Sequence, residues 1–449
     1  MKTIRIGCGS GGCTFERMEP AIELAEKGNI DYIIFECLAE RTIADAQKDK
    51  LSNPLKGYNP MLHERMEKFL PLMKKYGFKI VSNMGGANPV CAVEEIIKIA
   101  KELGITGIKI ATVSGDDITD NIKDYYDYHL IDKTDTVSTL EGIISANVYL
   151  GADGIREALD NGADIVITGR VADPSLFVGP IIHEFNWADD EYEKIGQAIL
   201  TGHLMECCAQ LTGGYYADPG YKEVPDLHRL GHPIAEINEN GELFFTKPEG
   251  SGGLVNVDIC KEQLLYEIGD PSCYITPDGV ADFSNVTFTQ TAENIVAAKG
   301  ALSHGKTDTY KVNIGYMDGW LGIGELSFGG TNSLERAKLC AEIIEKRWEI
   351  VGLKPLEYQF DYIGFNSLYK SSISSKLMQG GSPEIRLRLA VRAKTKKEAS
   401  LLIRELQCMY INGPAGSSGI TSKVDAVLSI ENMLVPREGI SAKIVYTEV

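Results

Sequence analysis

The first 185 residues alternate short apolar runs with amphipathic helices, and this alternation limits the fold more than any other feature. The runs are TIRIGCG, DYIIFE, FKIVSN, GIKIATV and ADIVITG. Within them apolar residues follow one another without the polar alternation of a half-exposed strand. Such strands are buried on both faces, as in parallel sheets covered by helices. The intervening segments EPAIELAEKG, HERMEKFLPLMKKYG, PVCAVEEIIKIAKELG and GIREALDNG read as helices. Pro20 near a helix start and Gly28 just past its end fit the usual asymmetry of helix termini. The predicted class is α/β, with a mainly parallel three-layer sheet and helices on both faces. An open sheet is favoured, and a barrel-like closure stays open.

The chain has 449 residues, which suggests more than one core. Residues 1–185 form the predicted parallel α/β domain, with a pocket at the C-terminal strand ends. Residues 186–355 read as a mixed α/β extension that contributes lid and Gly-rich loops. They contain the hairpin-like IAEINENGELFFTK, turning at Glu239–Gly241, and a helix from Ser333 to Val351. Residues 356–449 are predicted to be a small C-terminal α+β domain. There EIRLRLAVRA alternates like a half-exposed strand, and TKKEASLLIRELQCMYING reads as a helix with Thr395 as N-cap. No internal repeat or low-complexity linker stands out.

Composition excludes several function classes. No window approaches the roughly 18 apolar residues of a membrane span. The formal charge is −18, from 63 acids against 45 bases, which opposes binding to a phosphate backbone. MKTIRIGCGSGG has no apolar segment of the secretory type, so a cytoplasmic location is expected. None of the ten cysteines forms a C-x-x-C pair, which argues against a zinc ribbon or an iron–sulfur site. Reduced thiols are the simplest expectation.

The candidate chemistry lies in the segments directly after the strands: GCGSGG, ECLAERT, NMGGANP, SGDD and GRVADPS. In parallel α/β proteins the C-terminal strand ends line the binding crevice. Glu36, Asn83, Asn88, Arg170 and Asp173 are therefore placed together in a predicted pocket. The plainer alternative is that these residues cap helices and shape turns.

Four further motifs stand out. GCGSGG matches G-x-G-x-x-G at Gly7, Gly9 and Gly12, with Glu36 near the place of a ribose-binding acid. Against a dinucleotide site, CTFERME separates these glycines from the helix that Pro20 opens. A Gly-rich substrate or anion loop is the preferred reading. KPEGSGG offers a second anion loop through Lys247, Gly250, Gly252 and Gly253, and GPAGSSG a weaker one. GHLMECC sets His203, Glu206 and Cys207 on one helix face, as an acid–base pair or as part of a buried polar network. A metal there would need another ligand, and none is assigned. The loop TGGYYADPGYKEVPDL offers Tyr215, Asp218 and Tyr221 to close over a ligand.

Together, DYIIFECLAERT, IVSNMGGANP, VITGRVADPSLFVGP, HLMECCAQLTGGYYADPGYKEVPDL, KPEGSGGLV and QLLYEIGDPSCYITPD resemble the acyclic terpene utilisation AtuA family over essentially the whole chain. The resemblance implies a place in bacterial breakdown of branched acyclic compounds through acyl-CoA intermediates. It brings no agreed reaction and no established catalytic residue. Some larger relatives add a C-terminal ferredoxin-like module, so a small separate partner subunit is an expectation here. A homo-oligomer is expected too.

These readings converge on an enzyme acting on a branched carboxylic acid or its coenzyme A thioester, by proton transfer beside a carbonyl. Hydration, dehydration or isomerisation would suit. The expected roles are Glu36 as base, His203 with Glu206 as acid, and Arg170 on a carboxylate. Asn83 and Asn88 would donate to an enolate oxygen. The alternatives are a non-catalytic subunit of an acyl-CoA-metabolising complex and a dinucleotide-dependent oxidoreductase. A bound NAD or metal is the weaker expectation.

Overall fold

The computed structural model describes residues 1–12, 16–377 and 382–449, so Cys13 lies outside the described residues. It divides into two compact units, Met1–Gly315 with Ile430–Val449, and Tyr316–Ser429.

The first unit opens with β1 (Thr3–Ser10), α1 (Glu19–Lys27), β2 (Tyr32–Phe35), α2 (Glu40–Ser52) and α3 (Leu62–Tyr76). β3 (Lys79–Ser82), α4 (Pro89–Glu102), β4 (Lys109–Ser114) and β5 (Ile143–Val148) follow. Next come α5 (Asp153–Asp160), β6 (Ile165–Thr168), α6 (Ser175–Phe185) and α7 (Tyr192–Met205). The hairpin β7 (Ile234–Asn238) and β8 (Leu243–Thr246) precedes α8 (Val257–Leu265). Then come β9 (Tyr274–Thr276), β10 (Gly279–Asp282), β11 (Thr287–Ala292), β12 (Ile295–Lys299) and β13 (Leu302–Ser303). The chain enters the second unit within β14 (Thr309–Gly329), and leaves it within β17 (Ser417–Pro436) before β18 (Lys443–Glu448).

A ten-stranded sheet organises the first unit in the order β11-β12-β8-β7-β1-β2-β3-β6-β4-β18. The middle, from β1 to β4, is parallel. Both flanks are antiparallel: β7 pairs with β1, and β18 with β4. The sheet is therefore mixed rather than mainly parallel. The hairpin after residue 230, followed outward by β12 and β11, extends the parallel middle on one side, and the last strand extends it on the other.

Burial explains the unbroken apolar runs. Tyr32 and Ile34 of β2 enter one core, while Ile33 and Phe35 enter another. α5, α6 and α7 feed the first core, and α1, α3 and α4 the second. α3 ends at Gly77 in the left-handed conformation, where a side chain would be strained. No helix among the described residues is long and apolar enough to cross a membrane.

The second unit contains α9 (Ser333–Val351), β15 (Glu357–Ile363), α10 (Ser371–Leu377), β16 (Glu384–Ala393) and α11 (Lys396–Asn412). Its strands run β15-β16-β14-β17. Alternate residues of β16, from Ile385 to Ala393, are buried with residues of α9 and α11. Thr395 and Glu398 form a reciprocal capping box that starts α11.

Candidate functional site

Strand register brings the chemistry together. Ser10 pairs with Phe35, Phe35 with Ser82, and Ser82 with Ile167. The C-terminal ends of β1, β2, β3 and β6 thus lie side by side, with Gly11, Glu36, Asn83 and Arg170 just beyond them.

Glu36 is buried and its oxygens are taken by donors. Gly12 N–H donates to Oε2, while Leu38 N–H (2.8 Å) and Asn83 Nδ2 (3.0 Å) donate to Oε1. Burial, with the charge of Asp173 added, still pushes its pKa up to about 8. Asn83 also accepts from Cys37 N–H at 2.8 Å. Both residues therefore knit the loops after the strands.

The glycines of GCGSGG have packing reasons. A Cβ on Gly7 would meet Leu24, and one on Gly9 the Phe35 ring. At Gly11 it would lie 2.1 Å from Glu206 O, so the loop backbone rests directly on the end of α7. Gly12 has φ +63°, the left-handed region, and its N–H points at Glu36. Among the described residues the first helix after these glycines, α1, begins only at Glu19.

Arg170 is almost fully buried, and its Nη1 and backbone are committed while its Nε has no hydrogen-bond partner among the described residues. Its Nη1 donates to Leu38 O and to Asp173 Oδ1 (2.8 Å), and its guanidinium lies 4.1 Å from the Tyr149 ring centroid. Its backbone N–H donates to Asp116 Oδ2 at 2.9 Å. Burial opposes its charge, but Asp173, Tyr149 and Glu40 outweigh this and raise its pKa. The Tyr149 hydroxyl donates to Glu40 Oε1 at 2.5 Å, and Lys311 Nζ lies 3.2 Å from the same oxygen. Burial disfavours the Glu40 carboxylate too, yet Arg170, Tyr149 and Lys311 hold its pKa down to about 2.

Of these side chains Glu40, Tyr149, Asp173 and Lys311, but not Arg170, line a cavity of about 380 Å³, together with His203, Glu206, Glu267, Tyr274, Tyr310 and Leu434. His203 Nε2 donates to Leu264 O at 3.0 Å, which leaves Nδ1 as a lone pair. That lone pair lies 3.7 Å from Glu206 Oε1. His203 Nδ1 and Glu206 Oε2 are buried and have no hydrogen-bond partner among the described residues. Burial lowers the His203 pKa to about 4, so the ring is neutral. Burial, with the charges of Asp173 and Glu267, raises that of Glu206. Glu267 stands at φ +60°, strained for a residue with a side chain.

Other predicted residues lie elsewhere. Asn88 caps α4 and donates to Pro54 O (2.9 Å) and Lys56 O (2.8 Å). Lys247 Nζ donates to Ser251 O at 2.6 Å, closing its own loop. Gly252 packs on the carbonyls of Asp226 and Arg229, and Gly253 on that of Thr212, whereas Gly250 meets nothing. Tyr215 is exposed and borders a separate cavity of about 290 Å³ with Tyr266 and Gln263. Asp218 pairs its backbone with Lys222 in a tight turn, away from both cavities.

Sequence reasoning did not single out Tyr149, Lys311, Tyr274 or Glu267, and gave Glu40 no role. Only Glu40 carried a signal, as the second acid after β2. The family profile described as acyclic terpene utilisation family protein AtuA matches residues 4–446. No curated protein matches the chain.

Proposed function

Because the chain belongs to the acyclic terpene utilisation AtuA family, we propose that its cavity takes a branched acyclic carboxylic acid, free or as the acyl part of a coenzyme A thioester. The reaction is proton transfer beside the carbonyl, in a hydration, dehydration or isomerisation. One observation carries this reading: His203 Nδ1 and Glu206 Oε2 are buried at a cavity wall without partners among the described residues. Unpaired buried polar atoms are costly unless something else satisfies them, and a substrate would.

His203 Nδ1 takes the proton from the carbon next to the carbonyl, and Glu206 donates one to the leaving hydroxyl or to the neighbouring carbon. Lys311 lines the cavity, whereas Arg170 does not, so Lys311 is the cation for the carboxylate or carbonyl oxygen. Tyr274, Tyr310 and Leu434 offer apolar surface to a branched chain. A volume of about 380 Å³ lies near the lower end of the roughly 300–1,000 Å³ typical of small-molecule sites. Glu36, Asn83 and Asn88 spend their polar atoms on the protein itself, so we assign them to holding the loops rather than to the reaction.

The test is thermal unfolding of the full chain with branched acids, their thioesters and NAD(H). A ligand at about 100 times its Kd adds about 2.7 kcal/mol. A shift with an acid or thioester, followed by turnover of that compound, is the expected result. A shift with NAD(H) alone would favour a dinucleotide-dependent enzyme. Binding without turnover would favour a non-catalytic subunit.

A further inference from the structure

Apart from the cavity, three segments bring a carboxylate, a thiol and an imidazole to one point. Glu16 comes after the Gly-rich loop, Cys208 after α7, and His232 before β7. One ligand atom from each lies within 4.8 Å of the others. None of the three lines the cavity of His203 and Glu206. We propose that Glu16, Cys208 and His232 bind a divalent transition-metal ion of the zinc class.

The surroundings point to a ligand. His232 is 1% exposed, and its ring nitrogen nearest Glu16 is Nε2, while the other, Nδ1, has no hydrogen-bond partner among the described residues. Its Nε2 lies 3.7 Å from Glu16 Oε1. Glu16 Oε2 is fixed by Gly11 N–H at 2.8 Å, which leaves Oε1 for the cluster. Cys208 is fully buried at φ +48°, a conformation uncommon for a residue with a side chain. Its Sγ donates to Cys8 O at 3.2 Å. In a tetrahedral zinc site neighbouring donor atoms stand roughly 3.3–3.7 Å apart.

Donor chemistry selects the ion. Thiolate and imidazole suit zinc and similar metals, whereas calcium and magnesium take oxygen ligands. An ion that displaces the thiol proton meets two negative ligands, so its charge is balanced. That balance matters because the buried Arg65 already places a positive charge near Glu16 and His232. Three protein ligands leave a fourth position for water or another donor. The ion would tie together segments far apart in sequence.

The test strips the full-length, reduced protein with a chelator and titrates it with Co²⁺. We expect one equivalent to produce a thiolate-to-cobalt charge-transfer band in the near ultraviolet, which Zn²⁺ then abolishes. Cys208→Ser should remove the band, and the adjacent Cys207→Ser should keep it. Glu16→Gln, at a partly exposed side chain, should weaken Co²⁺ binding at least tenfold and decides the matter if Cys208→Ser fails to fold. Absence of the band in the unaltered protein overturns the site. So does its survival in Cys208→Ser, its loss in Cys207→Ser, or unchanged affinity in Glu16→Gln.

Discussion

His203 Nδ1 stands 3.7 Å from Glu206 Oε1, and the opposite nitrogen of the same ring is tied to Leu264 O. The tether fixes the tautomer, so the lone pair faces the acid. Glu206→Gln keeps the shape and removes the transferable proton. The expected outcome is a fall in kcat of roughly 10²–10⁴-fold with the fold intact. Steady-state rates on the stabilising ligand, beside circular dichroism, check it. Unchanged kcat would remove Glu206 from the reaction.

Arg170 predicts a stability effect. It is the buried counter-charge of Asp173 and lies over Tyr149. Arg170→Met leaves the Asp173 and Glu40 carboxyls without it. Removing one partner of a fully buried pair costs about 3–5 kcal/mol, and because the Asp173 side chain is 31% exposed the loss here should be about 1–3 kcal/mol. Urea unfolding should show that loss, with Arg170→Lys in between, because an ammonium keeps the charge but not the planar fork.

The Gly-rich loop offers a sharper contrast. A Cβ on Gly11 would sit 2.1 Å from a backbone oxygen at the end of α7, where nothing flexible can yield. Gly269 has open space around it. Gly11→Ala should cost about 1–3 kcal/mol or more and disturb the Glu206 end of α7. Gly269→Ala should stay within about 0.5 kcal/mol. Equal stabilities would mean that the loop does not rest on α7.

The range of the forces involved decides how much was legible in advance. Ile33, Ile34 and Phe35 announce a strand buried on both faces, because each face demands apolar residues locally. The acid after them is legible for the same reason, as a polar group that ends such a strand. Its partners are not: Gly12, Leu38 and Asn83 meet Glu36 only once the register is set. Tyr149, Lys311 and Tyr274 reach the cavity from segments whose local pattern reads as ordinary surface or strand. SAKIVYTEV reads as a strand, but backbone pairing carries no residue code, so its partner β4 is invisible. The glycines of GCGSGG were visible as a motif, while their cause, contact with Leu24, Phe35 and α7, is tertiary.

Glu36 gives the last prediction, a dependence on pH. In the folded protein it keeps its proton up to about 8, against an ordinary value of 4.5. Between those values the folded state binds more protons than the unfolded chain, so rising pH favours unfolding. The slope is at most about 1.4 kcal/mol per pH unit. His203, lowered from 6.5 to about 4, acts the other way and weakens the fold as pH falls through that window. Wild type alone would mix the two. Glu36→Gln separates them, because it removes one titration and leaves the other. Mismatched donors around the new amide add a cost that does not vary with pH. The stability of Glu36→Gln relative to wild type should therefore climb steadily from pH 4.5 to 8 in denaturant titrations. A flat difference would mean that Glu36 is a carboxylate throughout, held ionised by its three donors.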